Sequence, residues 1–329
     1  MMRTAVALGH ETIAAPTDRP RVTSLVTYPV KSCAGIALSE AVVTVRGLEL
    51  DRDFMVIDDA ADFVSQRKVP ELALVVPTIS ERAITLTAPG MEPIELPLTS
   101  EPDDRRIVDA TVHGRPVAGQ LIGEELDEWF TTFLPRYREN RRFRVLRVRE
   151  DAPRYIKERY RLAGASNQVG FADGNSMLLA SEPSLAQLNR ELAEPVAMNR
   201  FRPNIVIDGP GLAPYAEDSW TRLQIGAMTA FVVKACDRCS IPDTDQRTAV
   251  VGKAVRRALR TRKGANAHDD SNTGVFFAQN LNHVHTPGLT IRLGDEVHTL
   301  ARSLRPNVVL DADPGSAGQR VAARARHSA

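Results

Sequence analysis

The sequence predicts a mainly β protein with some α, a barrel-like N-terminal part followed by a β-rich part with a few helices. Three observations carry this. Short apolar runs rich in β-branched residues recur through residues 22–123, Pro and Gly fall at the breaks between them, and helical spacing surfaces in only three places. The runs are TSLVTYPV, EAVVTVRG, DFMVIDD, LALVVPTI, AITLTAPG, EPIELPL, IVDATVHG and RPVAGQ, which together suit an antiparallel barrel or sandwich.

EELDEWFTTFL (124–134) places Leu126, Trp129, Phe130 and Phe133 at helical spacing behind an acidic first turn, so a helix should close this first part. A basic run, PRYRENRRFRVLRVRE (135–150), then reads as a solvated linker entering a strand. SEPSLAQLNREL (181–192) predicts a helix with Ser181 as its cap, Pro183 in the first turn and Leu185, Leu188 and Leu192 on one face. Strands are expected at RPNIVID, RLQIG and MTAFVVKA, a basic helix at VVGKAVRRALRTRK, and strands again at VFFAQNLN, LTIRLG and EVHTL. The expected division is a tail over 1–20, a barrel domain over 21–145, a second β-rich domain over 146–302 and a flexible tail over 303–329.

With 42 basic and 41 acidic residues, the net charge of +1 supplies no global field toward nucleic acid or anionic lipid, so any charged ligand must be held locally. Three cysteines, Cys33, Cys236 and Cys239, are too few for a secreted disulfide framework. His10 and Glu11 interrupt the apolar N-terminal patch, and no run approaches about 18 apolar residues. The expectation is a cytoplasmic monomer with neither a membrane nor a nucleic-acid partner.

Chemistry concentrates in KACDRCSIPDTDQ (234–246), where two cysteines three apart follow a predicted strand. That spacing serves a redox dithiol, half of a zinc site, or a loop presenting one thiolate to a metal. Pro242 and the polar run after it suit a loop better than the helix N-terminus a reactive dithiol uses, and His268, His283 and His285 lack finger-like spacing to the pair. Two packed cysteines without chemistry remain an open alternative on this loop alone.

Six separated segments, YPVKSCAG (28–35), LDRDFMVID (50–58), LLASEPSLAQLN (178–189), NRFRPNIVIDG (199–209), YAEDSW (215–220) and CDRC (236–239), occur in an order that resembles the MOSC proteins, in the branch with an N-terminal MOSC β-barrel domain that includes the mitochondrial amidoxime reducing component. The resemblance covers residues 21–300 and implies a MOSC β-barrel domain followed by a MOSC domain. It implies Cys239 as the protein ligand of a molybdenum–molybdopterin cofactor, a soft thiolate on a suitable metal. It also implies cofactor binding by Lys31 and Ser32, Arg52, Arg202 and Asn204, with Asp237 and Arg238 lining the pocket and Asn175 near it, and it carries a family-level association with pyridoxal phosphate. Read alone, Lys31 is a strand-end surface lysine and Arg52 a partner of Asp51 or Asp53. Cys236 is expected to pack or shape the loop. YAEDSW reads as a turn anchoring Trp220 with Glu217 and Asp218 solvated, and Arg67 in SQRKVP is a further candidate for the same cleft. After Cys239 the mitochondrial branch continues Thr-Thr-Val-Asp-Pro where this chain has SIPDTDQRTA, which leaves substrate identity open.

The activity implied is reduction of N-hydroxylated small molecules by oxygen-atom transfer at the metal. The alternatives are a carrier of the cofactor, or of persulfide sulfur on Cys239, without turnover, and an interaction protein with a degenerate site. A [2Fe–2S] cluster takes four cysteines, and no Gly-rich dinucleotide fingerprint follows a strand. Electrons are therefore expected from an external ferredoxin, flavodoxin or cytochrome, with the basic helix 253–263 as a candidate docking face beside its plainer reading as a solvated helix.

Overall fold

The computed structural model describes residues 19–98, 106–134, 142–261 and 275–302. The expected tail 303–329, residues 1–18 of the expected N-terminal tail, and the stretches 99–105, 135–141 and 262–274 lie outside the described residues. The fold is mainly β with three α-helices among these residues.

The largest sheet has eight strands in the order Ile36–Leu38, Arg21–Thr27, Ile205–Asp208, Met177–Ser181, Phe276–His283, Met228–Asp237, Trp220–Ile225 and Val297–Arg302. Only Met177–Ser181 and Ile205–Asp208 run parallel within it. The first strand of the chain pairs with residues some 180 positions later, Leu25 opposite Ile205, and Glu40–Thr44 likewise pairs with Thr290–Arg292. Arg21–Thr27 and residues 41–48 thus join the core of the C-terminal half, where Val22, Leu25, Val43, Ile205, Trp220, Leu223 and Leu281 pack together, while Val30 and Cys33 between them pack in the N-terminal core. A four-stranded sheet, Phe54–Ile57, Arg144–Val148, Arg115–Leu121 and Ile107–Val112, and a three-stranded one, Val76–Ile79, Ala83–Thr87 and Ile94–Pro97, form the N-terminal half.

The helices follow their patterns. Glu124–Phe133 buries Leu126, Trp129 and Phe130 against Phe54, Leu72 and Phe143, with Phe133 half-buried at the edge. Ser181 caps Glu182–Asn189 by accepting the Ser184 amide hydrogen at 3.3 Å. That helix stops short of Leu192 because the Asn189 side chain bonds both backbone groups of Val196 and turns the chain back. Ala254–Thr261 is started from a distance, since buried Asp243 accepts the Arg256 amide at 3.1 Å and its guanidinium at 2.6 Å. No described helix is long and apolar enough to cross a membrane.

Trp220 is buried as expected, but Glu217 is not solvated: it is 1 % exposed and accepts hydrogen bonds from the hydroxyls of Ser181 and Ser184. These donors lie more than thirty residues away in sequence, so the acidic turn looked like surface. Burial raises the Glu217 pKa.

His283 is fully buried, its Nε2 donating to the Thr44 carbonyl at 2.7 Å. Burial depresses its pKa from 6.5 to about 4. A base depressed in the folded state contributes stability that is present above 6.5 and is lost as pH falls toward 4. That loss should approach about 3 kcal/mol. His283→Asn keeps a donor for Thr44 and should remove this acid-side decline. Denaturant unfolding of both proteins at about pH 7 and about pH 4.5 checks it, parallel losses in the two counting against it.

Candidate functional site

Most of the sequence-nominated residues lie where the two halves touch. The barrel side contributes the segments around Lys31 and Arg52, and the other half contributes the turn at Arg202, the segment Gly170–Asn175 and the loop after Asp237. Ser32, Arg52 and Arg202 all have left-handed backbones, with φ of 71°, 55° and 55°. Each such residue costs on the order of 1 kcal/mol and persists where its surroundings fix it.

Lys31 is 5 % exposed and so is no surface lysine. Its Nζ donates to the Phe171 carbonyl at 2.9 Å and to Asp173, and burial lowers its pKa. Arg52 pairs with Asp51 at 2.5 Å and reaches Asn204 at 3.1 Å, and its own carbonyl accepts the Phe171 amide at 2.7 Å. A Cβ on Gly170 would lie 2.8 Å from that carbonyl, which explains the glycine. Arg52 and Arg202 both lie against the Tyr28 ring, at 4.4 and 4.3 Å. Burial pushes the Tyr28 hydroxyl up to about 12 and the Cys33 thiol up to about 12, so neither ionises near neutrality.

Arg202 is 8 % exposed and donates to the Cys33 carbonyl at 2.5 Å. Burial pushes its pKa down to about 10, still well above neutrality. Arg238 donates to the Phe201 carbonyl at 2.8 Å and to the Cys236 sulfur at 3.0 Å, tying the loop that carries Cys239 to the turn that carries Arg202. Gln66, 1 % exposed, exchanges two amide hydrogen bonds with Gln246 and donates to the Ser32 carbonyl, which links the same loop to Lys31–Ser32.

The polar capacity of these residues is unevenly used. Asn204 accepts from Leu178 and Arg52 and donates to Val26 and Asp51, so its side chain is spent and acts on the site through Asp51 and Arg52. Asp237 is exposed at the strand end and accepts weakly from Val275 at 3.4 Å. Asn175 donates to Asn282 at 3.0 Å but its buried Oδ1 has no partner. Arg202 Nη2, Arg238 Nε and Arg154 Nε are likewise buried without acceptors.

Arg154 escaped the sequence reading. It donates to the carbonyls of Gly170 and Ala172, beside the carbonyl that Lys31 holds. Its basic, polar context RYIKERYR resembles solvent-facing sequence, and only a partner fifteen or more residues away buries it. Among the described residues Lys31 and Arg52 have carboxylate partners, whereas Arg154, Arg202 and Arg238 have none. Three permanent cations with unspent donors are poised for an anionic group.

Cys239 is half-buried and its thiol makes no hydrogen bond among the described residues. Cys236 packs against the cluster containing Phe201 and Phe277 and receives the Arg238 guanidinium. No three His, Cys, Asp or Glu side chains converge on a metal position among the described residues. Two surface depressions, one bounded by Glu182, Leu185 and Asp208 and the other by Pro20, Trp220 and His298, lie on other parts of the chain.

Comparison with known proteins agrees in both halves. The family described as MOSC N-terminal beta barrel domain matches residues 19–137, and that described as MOSC domain matches residues 166–298. The chain is similar to mitochondrial amidoxime-reducing component 1 of Mus musculus, 33% identical over 317 residues that cover 91% of this chain and 90% of that protein. The protein of the same name from Homo sapiens is 34% identical over 321 residues, covering 91% of each. Molybdenum cofactor sulfurase of Homo sapiens is 29% identical over 244 residues, which are 69% of this chain and 27% of that protein.

Proposed function

The chain belongs to the MOSC proteins that carry an N-terminal MOSC β-barrel domain, the family of the amidoxime-reducing components, and on that premise we propose that it binds a molybdenum–molybdopterin cofactor and reduces an N-hydroxylated small molecule. The observation that carries the proposal is the set of buried, unpartnered guanidinium hydrogens on Arg202, Arg238 and Arg154. An unsatisfied buried donor costs about 1–3 kcal/mol, more when charged, so three in one region signal a ligand that satisfies them. A phosphate-bearing pterin offers the required acceptors.

Lys31, Arg52, Arg202 and Arg238 would hold the anionic part, with Arg154 joining them and Ser32 and Asn175 lining the site. Cys239, whose thiol makes no hydrogen bond among the described residues and which is flanked by Arg238, would supply the thiolate. When bound, the group supplies a soft, two-electron redox centre that accepts oxygen. The net reaction is R–NH–OH + 2 e⁻ + 2 H⁺ → R–NH₂ + H₂O. The chain's residues bind and orient; the electrons come from elsewhere.

Three cysteines cannot furnish a four-thiolate cluster. A separate ferredoxin, flavodoxin or cytochrome would therefore serve as donor, docking on the basic helix Ala254–Thr261 and the exposed Val250 and Val251 beside it. Purified protein given a hydroxylamine-type substrate with NADH or NADPH alone should show no turnover, and an added reductase and carrier should start it. Steady turnover on the nicotinamide alone would contradict the donor assignment, and cofactor-loaded protein that stays inactive with every carrier would favour a cofactor carrier.

A further inference from the structure

Cys239 opens a stretch that is stiff from its first residue. The Asp243 amide donates to the Ser240 carbonyl at 3.0 Å and the Thr244 amide to the Ile241 carbonyl at 2.9 Å, so a tight turn over Ile241–Asp243 follows the cysteine directly. Beyond it the chain doubles back, with Thr244 opposite Val251 and the Asp245 amide donating to the Val250 carbonyl at 2.8 Å. Two clasps hold this hairpin to the C-terminal half. Arg256 grips Asp243 at 2.6 Å, and Arg200, in the turn that leads to Arg202, reaches Asp245 at 2.8 Å.

A third clasp reaches the other half. Gln66 and Gln246 meet amide to amide: Gln66 Nε2 donates to Gln246 Oε1 at 3.1 Å, and Gln246 Nε2 donates to Gln66 Oε1 at 3.0 Å. The second hydrogen of Gln66 goes to the Ser32 carbonyl at 2.6 Å, and the second hydrogen of Gln246 to the Thr244 carbonyl at 3.2 Å. Every N–H of the pair is thereby spent inside the protein, so it keeps no donor for a ligand and its part is to hold. The barrel end is itself firm, since the Lys68 and Val69 amides both donate to the Ser65 carbonyl at 2.9 Å. Among the described residues, no other hydrogen bond joins the stretch 239–252 to the N-terminal half.

A metal–ligand distance is defined to within about 0.2 Å. Lys31 lies between Val30 and Cys33 of the N-terminal core, whereas Cys239 belongs to the other half, so that precision has to be kept across the boundary between them. We propose that the Gln66–Gln246 pair is the strut that fixes the Cys239 loop against the Lys31–Ser32 segment, which makes both glutamines positioning residues for the thiolate; this rests on the reading of Cys239 as the metal's ligand given above.

The test reads Cys239 with and without the cofactor. In the full chain purified free of cofactor, iodoacetamide labelling is followed on the tryptic peptides of Cys236 and Cys239, which cleavage after Arg238 separates. Gln246→Ala should speed labelling of Cys239 by about tenfold, the gain in local opening when two neutral hydrogen bonds are lost, and leave Cys236 unchanged. Gln66→Met should do the same, and the double variant should be no faster than either single change, because the two amides act as one unit. Gln246→Glu keeps an acceptor for Gln66 and should fall between. In cofactor-loaded protein, Gln246→Ala should retain molybdenum and pterin at the wild-type level, the arginines being untouched, while the electron paramagnetic resonance spectrum of the metal shifts or broadens. Equal speeding of both cysteines, unchanged Cys239 labelling in Gln246→Ala, additive effects in the double variant, or an unchanged metal spectrum overturns the proposal. Should Gln66→Met fail to fold, Gln246→Ala and Gln246→Glu, at the half-buried end of the pair, decide it. Wild-type protein without molybdenum that still shows this labelling pattern supports the strut and contradicts the cofactor reading alone.

Discussion

Cys239→Ser is expected to abolish reduction of N-hydroxylated substrates while Cys236→Ser keeps activity within about threefold of wild type. Partners of a metal ligand alone change activity by about 10–100-fold when removed, so loss of the ligand itself should exceed a hundredfold. The two cysteines differ in surroundings rather than in sequence. Cys236 packs against an apolar cluster and accepts from Arg238 at 3.0 Å, a bond that a serine oxygen can take over. The Cys239 thiol is half-buried and has no such partner among the described residues. The fold should tolerate both changes, and steady-state rates with a competent electron donor, alongside thermal melting, separate chemistry from stability. Equal loss of activity in the two variants would point to a dithiol or a shared metal instead.

Arg202→Ala should release the cofactor while leaving the protein folded. Its Nη1 is used by the Cys33 carbonyl, whereas its buried Nη2 has no partner, so part of this cation is reserved for a ligand. Losing one internal hydrogen bond costs about 1 kcal/mol of stability. Losing a charge-assisted contact to a buried anion costs about 1.5–3 kcal/mol of binding, which is roughly ten- to a hundredfold in retention. Arg202→Lys keeps a charge but not the planar fork and should fall between the two. Molybdenum and pterin content per chain after gel filtration reads the effect, and wild-type retention in Arg202→Ala would remove this residue from the clamp.

The strands and helices were legible in the sequence because periodicity is local. The run MTAFVVKA became the strand Met228–Asp237, and EELDEWFTTFL became Glu124–Phe133. Pairing was not legible, since nothing within Arg21–Thr27 states that it lies against Ile205–Asp208 rather than against its sequence neighbours. The site divides in the same way. The nominated residues came from the family resemblance, and the geometry brings Lys31, Arg52 and Arg202 together through Tyr28, Phe171 and Cys33. The burial of Lys31 was hidden because its partner Asp173 is 142 residues away. Asn204 reads as a pocket residue in sequence but is a fully bonded strut, because its partners Leu178, Arg52, Val26 and Asp51 all lie far from it in the chain. Asp173 carried only a weak local signal, an aspartate in FADGN. Arg154 carried none.

A molybdenum–pterin group held at Cys239 is the centre of the proposed function. The direct measurement is elemental and pterin analysis of wild-type and Cys239→Ser protein purified from cells that make the cofactor. The expected result is about one molybdenum and one pterin per wild-type chain, the stoichiometry set by a single protein thiolate, with an altered metal spectrum or lost metal in Cys239→Ser. Wild-type protein that carries neither molybdenum nor pterin from such cells, or a Cys239→Ser variant with unchanged metal content and spectrum, would contradict it.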